Sequence, residues 1–361
     1  MNSEATVRAI SGAGGKGPAC FLIEAREGRI MLDLGYGPQP GLLPNVDGVG
    51  NIDALILSHG HRDHAGGLSL LPQIGNPPVY ATEIVARGLP PGIDVRIMPL
   101  RGSAEMLGVR VETGRSGHAP GGIWIRFAIA DGLLYMGDHS RESILYAYDE
   151  PAQAKTAIID ASYGGDDTPL AARLEQFHPL FTSPGVLLPV PTDGRGPEIA
   201  LYLSRSGYTN LRVDEAMRSA LRQLAEIGSP SLHEGVAAEL AQIADRAGSI
   251  DGPRGIMLAS RADATDGEAA RLVAKWEHAP DPAIVFTGYV PPGTPAERLV
   301  KGGRASFLRW NVHPRISDNA ALVHATGARI VIPAFCDRSQ LSALARAFAP
   351  ARVTIDTPLP L

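Results

Sequence analysis

The sequence predicts an α/β protein built from two units. Three observations carry that reading. The first third is dense in short apolar runs that end at Gly, Asp or Ser, as strands do. The middle alternates strand-like and helix-like stretches, the texture of a parallel sheet with crossover helices. The tail then returns to strand, helix, strand. A length of 361 residues agrees, being roughly two domains at ~150 residues each.

In chain order, the expected strands of the first unit are ACFLIEA, RIMLDLG, ALILSHG, VRIMPL, VRVETG, IWIRFAI, LLYMGD and TAIIDAS. Among them only the segment after Asp63 reads as a helix. PGVLLPVPTDGRGPEIALYLSRSG then reads as strand, tight loop, helix. EAMRSALRQLAEIG and LHEGVAAELAQIADRAG have helical spacing. RGIMLAS, DGEAARLVAKWEH and AIVFTGYV give strand, helix, strand. ARIVIPAF, SQLSALARAFA and VTID close the chain. The expected boundaries are 1–167 for the first part of a core, 168–309 for an inserted unit, and 310–361 for the segment that completes the core sheet.

Composition narrows the class. Hydrophobic residues make up 44% and charged residues 20%, which suits a packed core rather than a disordered chain. Two cysteines, Cys20 and Cys336, rule out a disulfide framework and a cysteine zinc finger. The opening MNSEATVRAI carries an acid and no apolar run, so no signal peptide is expected. No stretch approaches a membrane span of about 18 apolar residues. The expectation is a soluble, cytoplasmic protein, with a homo-oligomer left open. A net charge of −5 argues against a coat for nucleic acid but not against a local basic cleft.

The chemistry concentrates in DALILSHGHRDHAGGL. His59, His61, Asp63 and His64 follow an apolar strand and precede Gly66 and Gly67. Three of ten histidines fall within six residues there. Zinc takes three His or carboxylate ligands and keeps a position open for water. His59 and His61 can share one ion, while Asp63 and His64 point elsewhere and can serve a second. Two ions ~3.5–4 Å apart would clamp a hydrolytic reaction. Asp33, ending RIMLDLG, would orient a ligand histidine from behind. His118, in the loop of RSGHAPGG, would be a third ligand of the first ion, and Asp138, ending LLYMGD, would bridge. Taken singly, each of these three has a plainer reading as a turn residue.

The ordered run Asp33, HGHRDH, His118, Asp138 resembles the metallo-β-lactamase fold. That resemblance implies an αββα sandwich: two mixed sheets stacked between outer helices, with metals at one edge. TAIIDASYGG, with Asp160, is similar to motif A of that fold's β-CASP branch. LLPVPTDGRGPEIALYL and IVFTGYVPPGTPAERL resemble its Gly-Arg helix opening and its Thr-Gly-Tyr strand. FLRWNVHPRISD, with His313, looks like motif B, and ARIVIPAFCD occupies the place of motif C. The branch implies an inserted α/β cap and a nuclease of RNA or DNA.

By that resemblance, His59, His61, His118 and Asp138 hold the first metal, and Asp63, His64 and Asp138 contribute to the second. Asp63 orients or deprotonates the attacking water, His313 protonates the leaving oxygen, and Asp160 positions His313. The expected cofactor is Zn2+, one firmly bound, with Mn2+ possible. Motif C normally ends in a histidine, and Pro333 stands in its expected place. Cys336 or Asp337 would have to substitute, so the second site is expected to be short of a ligand. Arg315 likewise falls where motif B commonly has an acid, with Asp318 three residues on.

The substrate expected is single-stranded nucleic acid, RNA before DNA. Residues 295–315 are basic, and Arg195, Lys301, Arg304 and Arg309 are candidate phosphate contacts, with Trp310 or Phe307 as a stacking face. Two rival functions stay open, a small-molecule hydrolase and a non-catalytic binding paralogue. SGAGGKGP, residues 11–18, lacks the Ser or Thr after Lys of a phosphate loop and reads as a glycine-rich turn. His139 is expected to point away from Asp138.

Overall fold

The computed structural model describes residues 5–361. They divide into two units. Residues up to Arg141, with Tyr146–Asp167 and His313–Leu361, form the first. Thr168–Val312, with the short excursion Glu142–Leu145, forms the second. That excursion has no signal in the sequence.

The first unit holds two seven-stranded sheets. One runs Leu359–Pro360, Thr6–Ser11, Cys20–Ala25, Gly28–Leu32, Ala54–Ile56, Val79–Thr82, Val95–Met98. The other runs Arg352–Val353, Ile330–Ala334, Thr156–Asp160, Leu133–Tyr135, Ile123–Phe127, Val109–Arg115, Gly102–Met106. Strand Ile330–Ala334 pairs in parallel with Thr156–Asp160, Ile158 opposite Ile332. The late segment is therefore an interior strand of this sheet.

Alternation along the strands builds the layers. Phe21 and Ile23 meet Ile125, Phe127, Ile158 and Ile332 in the core between the sheets. Cys20 and Leu22, on the opposite face, pack with Leu57, Leu71 and Ile74 in an outer layer. Behind the second sheet, Ile159 and Val331 meet Leu322, Leu344 and Phe348 from the late helices Ile316–Thr326 and Leu341–Ala347. Strands buried on both faces read as continuous apolar runs, which is why these were visible in the sequence. The result is the αββα sandwich.

The segment after Asp63 departs from the expected helix. Arg62–Ala65 is a single helical turn, and a 3-10 stretch, Leu68–Ile74, follows it. Close backbone contact explains the break. A side chain on Gly35 would collide with the Asp63 carbonyl oxygen at 1.8 Å. Leu34 N donates to the His64 carbonyl, and Gly67 N to the Leu34 carbonyl, so the loop after Asp33 takes up the turn's backbone groups.

The second unit holds a six-stranded sheet, ordered Gly248–Ser249, Leu211–Val213, Gly255–Ser260, Gly185–Val190, Ala283–Phe286, Ala305–Phe307. All its pairings are parallel. Helix Gly267–Trp276 covers one part of it through Leu272, Val273 and Trp276. Among the described residues no helix is long and apolar enough to cross a membrane.

Candidate metal centre

Strand ends deliver the centre's side chains. Gly28–Leu32 and Ala54–Ile56 run parallel and end just before Asp33 and before Ser58 and His59. In the other sheet, Leu133–Tyr135 and Thr156–Asp160 run parallel and end near Asp138 and at Asp160. His118 follows strand Val109–Arg115. Loops beyond parallel strand ends can carry polar groups that the strands themselves could not bury unpaired.

Asp33 is fully buried, in left-handed backbone with φ 56°. Its carboxylate accepts from Ser58 N at 2.7 Å, from the Ser58 hydroxyl at 2.7 Å and from the Tyr135 hydroxyl at 2.5 Å. The His64 ring stands at 2.7 Å from it through Nδ1. A buried charge needs such a set of partners, and this one fixes which edge of His64 faces inward. Burial and the Asp33 charge push the Tyr135 phenol well above its ordinary value, so it stays a donor.

Inward, the imidazoles crowd. His118 Nε2 lies 3.1 Å from His61 Nδ1, and the His59 and His61 rings are 4.6 Å apart. His64 Nε2 is 3.2 Å from Asp138 Oδ1, and His118 Nε2 is 3.5 Å from Asp138 Oδ2. Three sets of ligand atoms fall within 4.8 Å of one another: His59, His61 and His118; His59, His64 and Asp138; His118, Asp138 and His313. Asp138 belongs to two of them. Asp63 belongs to none.

These donors fit a transition ion. His59 Nε2 is buried without a hydrogen-bond partner in the structure. Burial, then the charges of His64 and His61, hold the His59 ring well below its ordinary value, so it stays neutral. A neutral imidazole with an unshared buried nitrogen is what a nitrogen ligand requires. Asp138 sits well below the usual carboxylate range: burial works against ionisation, and His64 and His313 outweigh it.

His313 stands beside this cluster, its ring 4.9 Å from that of His118. Its Nδ1 is 2.7 Å from Asp160 Oδ2 and 3.6 Å from Asp138 Oδ2. Asp160 is fully buried and also accepts from Ser162 N at 2.9 Å. Burial pushes its carboxyl up, but His313 more than offsets that and holds it below the usual range. Tyr163 closes on His313 edge-on at 5.3 Å.

Asp63 is half-buried and faces Lys16 from the glycine-rich loop. Burial raises its carboxyl, and His64 and then Lys16 draw it below the usual range. Tyr135, Tyr163 and Lys16 were not among the candidates from the sequence. Only tertiary packing brings them here.

Several sequence expectations change. Pro333 does not point at the centre. Ile332 and Ala334 face the core between the sheets, while Val331 and Ile159, the residue opposite Pro333, face the outer layer. The residue beside His64 is Phe335, with rings 5.2 Å apart. Neither Cys336 nor Asp337 joins a metal-capable set among the described residues. Cys336 packs in the outer layer, and Asp337 caps the 3-10 turn Arg338–Gln340. Asp318 forms a bidentate pair with Arg315 instead of replacing an acid at the centre.

In the second unit, Trp310 is no stacking platform. It is fully buried against Phe177 and Tyr202, whereas Phe307 is 40% exposed. Arg304 is tied to the carbonyls of Trp276, Glu277, Ala279 and Pro282, a structural task rather than a phosphate contact. Lys301 pairs with Glu297 one turn away at 2.7 Å. Arg195 lies against Gly288, where a side chain would strike its guanidinium, and Arg309 is half-buried. His139 is fully buried, neither ring nitrogen has a hydrogen-bond partner in the structure, and burial lowers it to about 4.

A sequence profile of the metallo-β-lactamase superfamily matches residues 13–168, the stretch from the glycine-rich loop through Asp160. Over that stretch this chain is similar to the metallo-β-lactamase superfamily. Its relatives fall in the superfamily's β-CASP branch. A transcription termination factor FttA from Cenarchaeum symbiosum (strain A) is 25% identical over 292 residues, covering 67% of this chain and 43% of that protein. An endoribonuclease YSH1 from Kluyveromyces lactis is 28% identical over 244 residues, covering 54% of this chain and 32% of that protein. The chain thus spans less than half the length of either. The crystal structure of a protein of unknown function from Enterococcus faecalis V583 superposes with a TM-score of 0.60 at 12% identity, covering 99% of both chains. That likeness shows a shared fold over nearly the full length of both chains.

Proposed function

We propose that this chain is a metal-dependent ribonuclease that hydrolyses phosphodiester bonds of single-stranded RNA. The observation that carries the reading is the convergence of three metal-capable donor sets on His59, His118 and Asp138, beside the His313–Asp160 pair. The names of two relatives, an endoribonuclease and a transcription termination factor, point the same way.

His59, His61 and His118 are the ligands we assign to a Zn2+ ion, with Asp138 beside them and Mn2+ a possible replacement. An ion held there supplies Lewis acidity and makes water nucleophilic near neutral pH. Asp63 accepts the proton of the attacking water. His313, held through Nδ1 by Asp160, delivers a proton from Nε2 to the leaving oxygen. Asp33 keeps His64 oriented. Residues 168–312 correspond to the inserted cap of the β-CASP branch, and 313–361 to the segment that completes the core. In the cap, Arg195, Lys301 and Arg309 contribute phosphate contacts. Such an enzyme would act in the cytoplasm.

The test combines metal analysis with cleavage of an end-labelled single-stranded RNA, with and without added zinc or manganese. Wild type should retain metal and cut RNA in preference to DNA. His61→Ala should lose most of its metal and its cleavage, because deletion of one of three ligands weakens the site by orders of magnitude. Undiminished metal in that variant, or no cleavage by wild type under any metal condition, would overturn the reading.

A further inference from the structure

We propose that Ser58 is a positioning residue that fixes the ring of His59. One carboxylate, Asp33, then sets the ligand nitrogen of two histidines, His64 directly and His59 through the Ser58 hydroxyl. The inference rests on the metal-centre half of the reading above and not on the identity of the substrate.

Ser58 is 1% exposed and is held on several sides. Its N donates to Asp33 Oδ1 at 2.7 Å, and its carbonyl accepts from Ile123 N at 2.9 Å. Its side chain packs on Gly137, which has φ 54°. A side chain on Gly137 would stand 2.6 Å from both Cβ and Oγ of Ser58. These contacts leave the hydroxyl little room to swing away from Asp33.

The direction of each hydrogen follows from what each group can donate. The Asp33 carboxylate meets the Ser58 amide at Oδ1. At Oδ2 it meets the Ser58 hydroxyl, the Tyr135 hydroxyl and His64 Nδ1. An ionised carboxylate only accepts, and a serine hydroxyl has one hydrogen to give. The Ser58 hydrogen points at Oδ2, 2.7 Å away. Only lone pairs of Ser58 Oγ then face His59 Nδ1, at 3.0 Å. That nitrogen is therefore the N–H of the ring and donates to Ser58 Oγ. In a neutral imidazole the other nitrogen carries the lone pair. Here it is Nε2, which is buried and has no hydrogen-bond partner in the structure.

His64 obeys the same rule without a relay. Its Nδ1 is 2.7 Å from Asp33 Oδ2 and 3.4 Å from Ser58 Oγ, so its hydrogen goes to the carboxylate. That leaves Nε2 as its ligand nitrogen, 3.2 Å from Asp138 Oδ1. His59 and His64 belong together to the set with Asp138. An ion shared by that set needs both tautomers correct at once, because a ring nitrogen that carries hydrogen cannot ligate. Without the Ser58 oxygen, the His59 Nδ1–H is a buried donor with no acceptor, and the ring gains by turning or by moving its hydrogen to the ligand nitrogen.

The experiment reads tautomer and metal affinity rather than turnover. In zinc-loaded wild type with 15N-labelled histidine, proton–nitrogen couplings should show His59 with hydrogen on Nδ1 and Nε2 on the ion. Competition with a chromophoric chelator gives the zinc affinity, and circular dichroism checks the fold. Ser58→Ala should bind zinc about 10–100-fold more weakly, the usual effect of losing a group that orients a ligand. Its His59 Nδ1–H signal should exchange faster or vanish. Ser58→Thr keeps the hydroxyl and should restore both. The wild-type tautomer decides the question even if threonine crowds Gly137. Zinc on Nδ1 of His59 in wild type, or unchanged affinity and N–H signal in Ser58→Ala, would overturn this inference and leave the hydrolase reading standing. No bound ion in wild type would overturn both.

Discussion

Asp160 shows what one side chain is asked to do at this centre. It is fully buried, belongs to none of the metal-capable sets, and holds His313 Nδ1 at 2.7 Å. We therefore propose it as a positioning residue. Asp160→Asn should keep the wild-type zinc content and KM while kcat falls about 10²-fold, the lower end of what positioned acid–base catalysis contributes. An RNA carrying a sulfur leaving group, which needs no acid, should restore most of the loss. Loss of zinc, or no rescue, would make Asp160 merely structural. His59, His61 and His64 were legible because their spacing in sequence already implies a shared metal, and His118 and Asp138 because they follow in order after strands, as the resemblance requires. His313 and Asp160 were legible through the branch motifs that contain them. Phe335 was not. Assigning the strand's functional end to Pro333 is a slip of parity, and a single residue reverses the face of a strand. Lys16 was hidden for another reason: nothing in a turn such as SGAGGKGP says where the turn docks.

Among the elements, helix Arg195–Arg205 carries an unusual burden. It places Glu198 inside the second unit, 2% exposed, where the carboxylate accepts from Ile144 N at 2.9 Å. Burial pushes this group up to about 7, and the contacts from Ile144, Ser143, Trp310 and Arg195 offset only part of that. A carboxyl whose folded value is raised binds its proton more tightly in the native state. Its contribution is present in full below the unfolded value of about 4.5 and is lost as pH rises through 7, amounting to ~3 kcal/mol. Melting temperature should fall between pH 5 and pH 8, and Glu198→Gln should flatten that fall. An unchanged pH slope in the variant would refute this account. Elements with strong apolar runs were read correctly from sequence. Gly102–Met106 was missed because its side chains are mostly exposed and it is held by backbone pairing with Val109–Arg115. Val79–Thr82 is only four residues long. The helix expected after Asp63 failed because the loop at Gly35 and the Gly67 amide claim the backbone groups that a longer helix would need.

Across the whole molecule, the first unit is assembled from three stretches of chain, with residues of the second unit in both gaps and most of them between the later two stretches. Strand Ile330–Ala334 lies between Thr156–Asp160 and Arg352–Val353. Removing residues 313–361 would leave Thr156–Asp160 as an unpaired edge and strip Leu322, Leu344 and Phe348 from the outer layer. Those three side chains alone represent about 5–9 kcal/mol of burial, as large as the net stability of many domains. A chain ending at residue 312 should therefore be insoluble or should melt without a cooperative transition, and supplying residues 313–361 in trans should rescue it. A soluble truncated protein with a wild-type melting curve would contradict this. The interior position of Ile330–Ala334 also bears on the protein's birth. During translation the intervening unit emerges from the ribosome before the strand that completes the sheet, and His313 emerges later than every candidate metal ligand of the first stretch. A nascent chain thus carries the imidazole cluster for many seconds before His313, the residue we assign as proton donor, has been made.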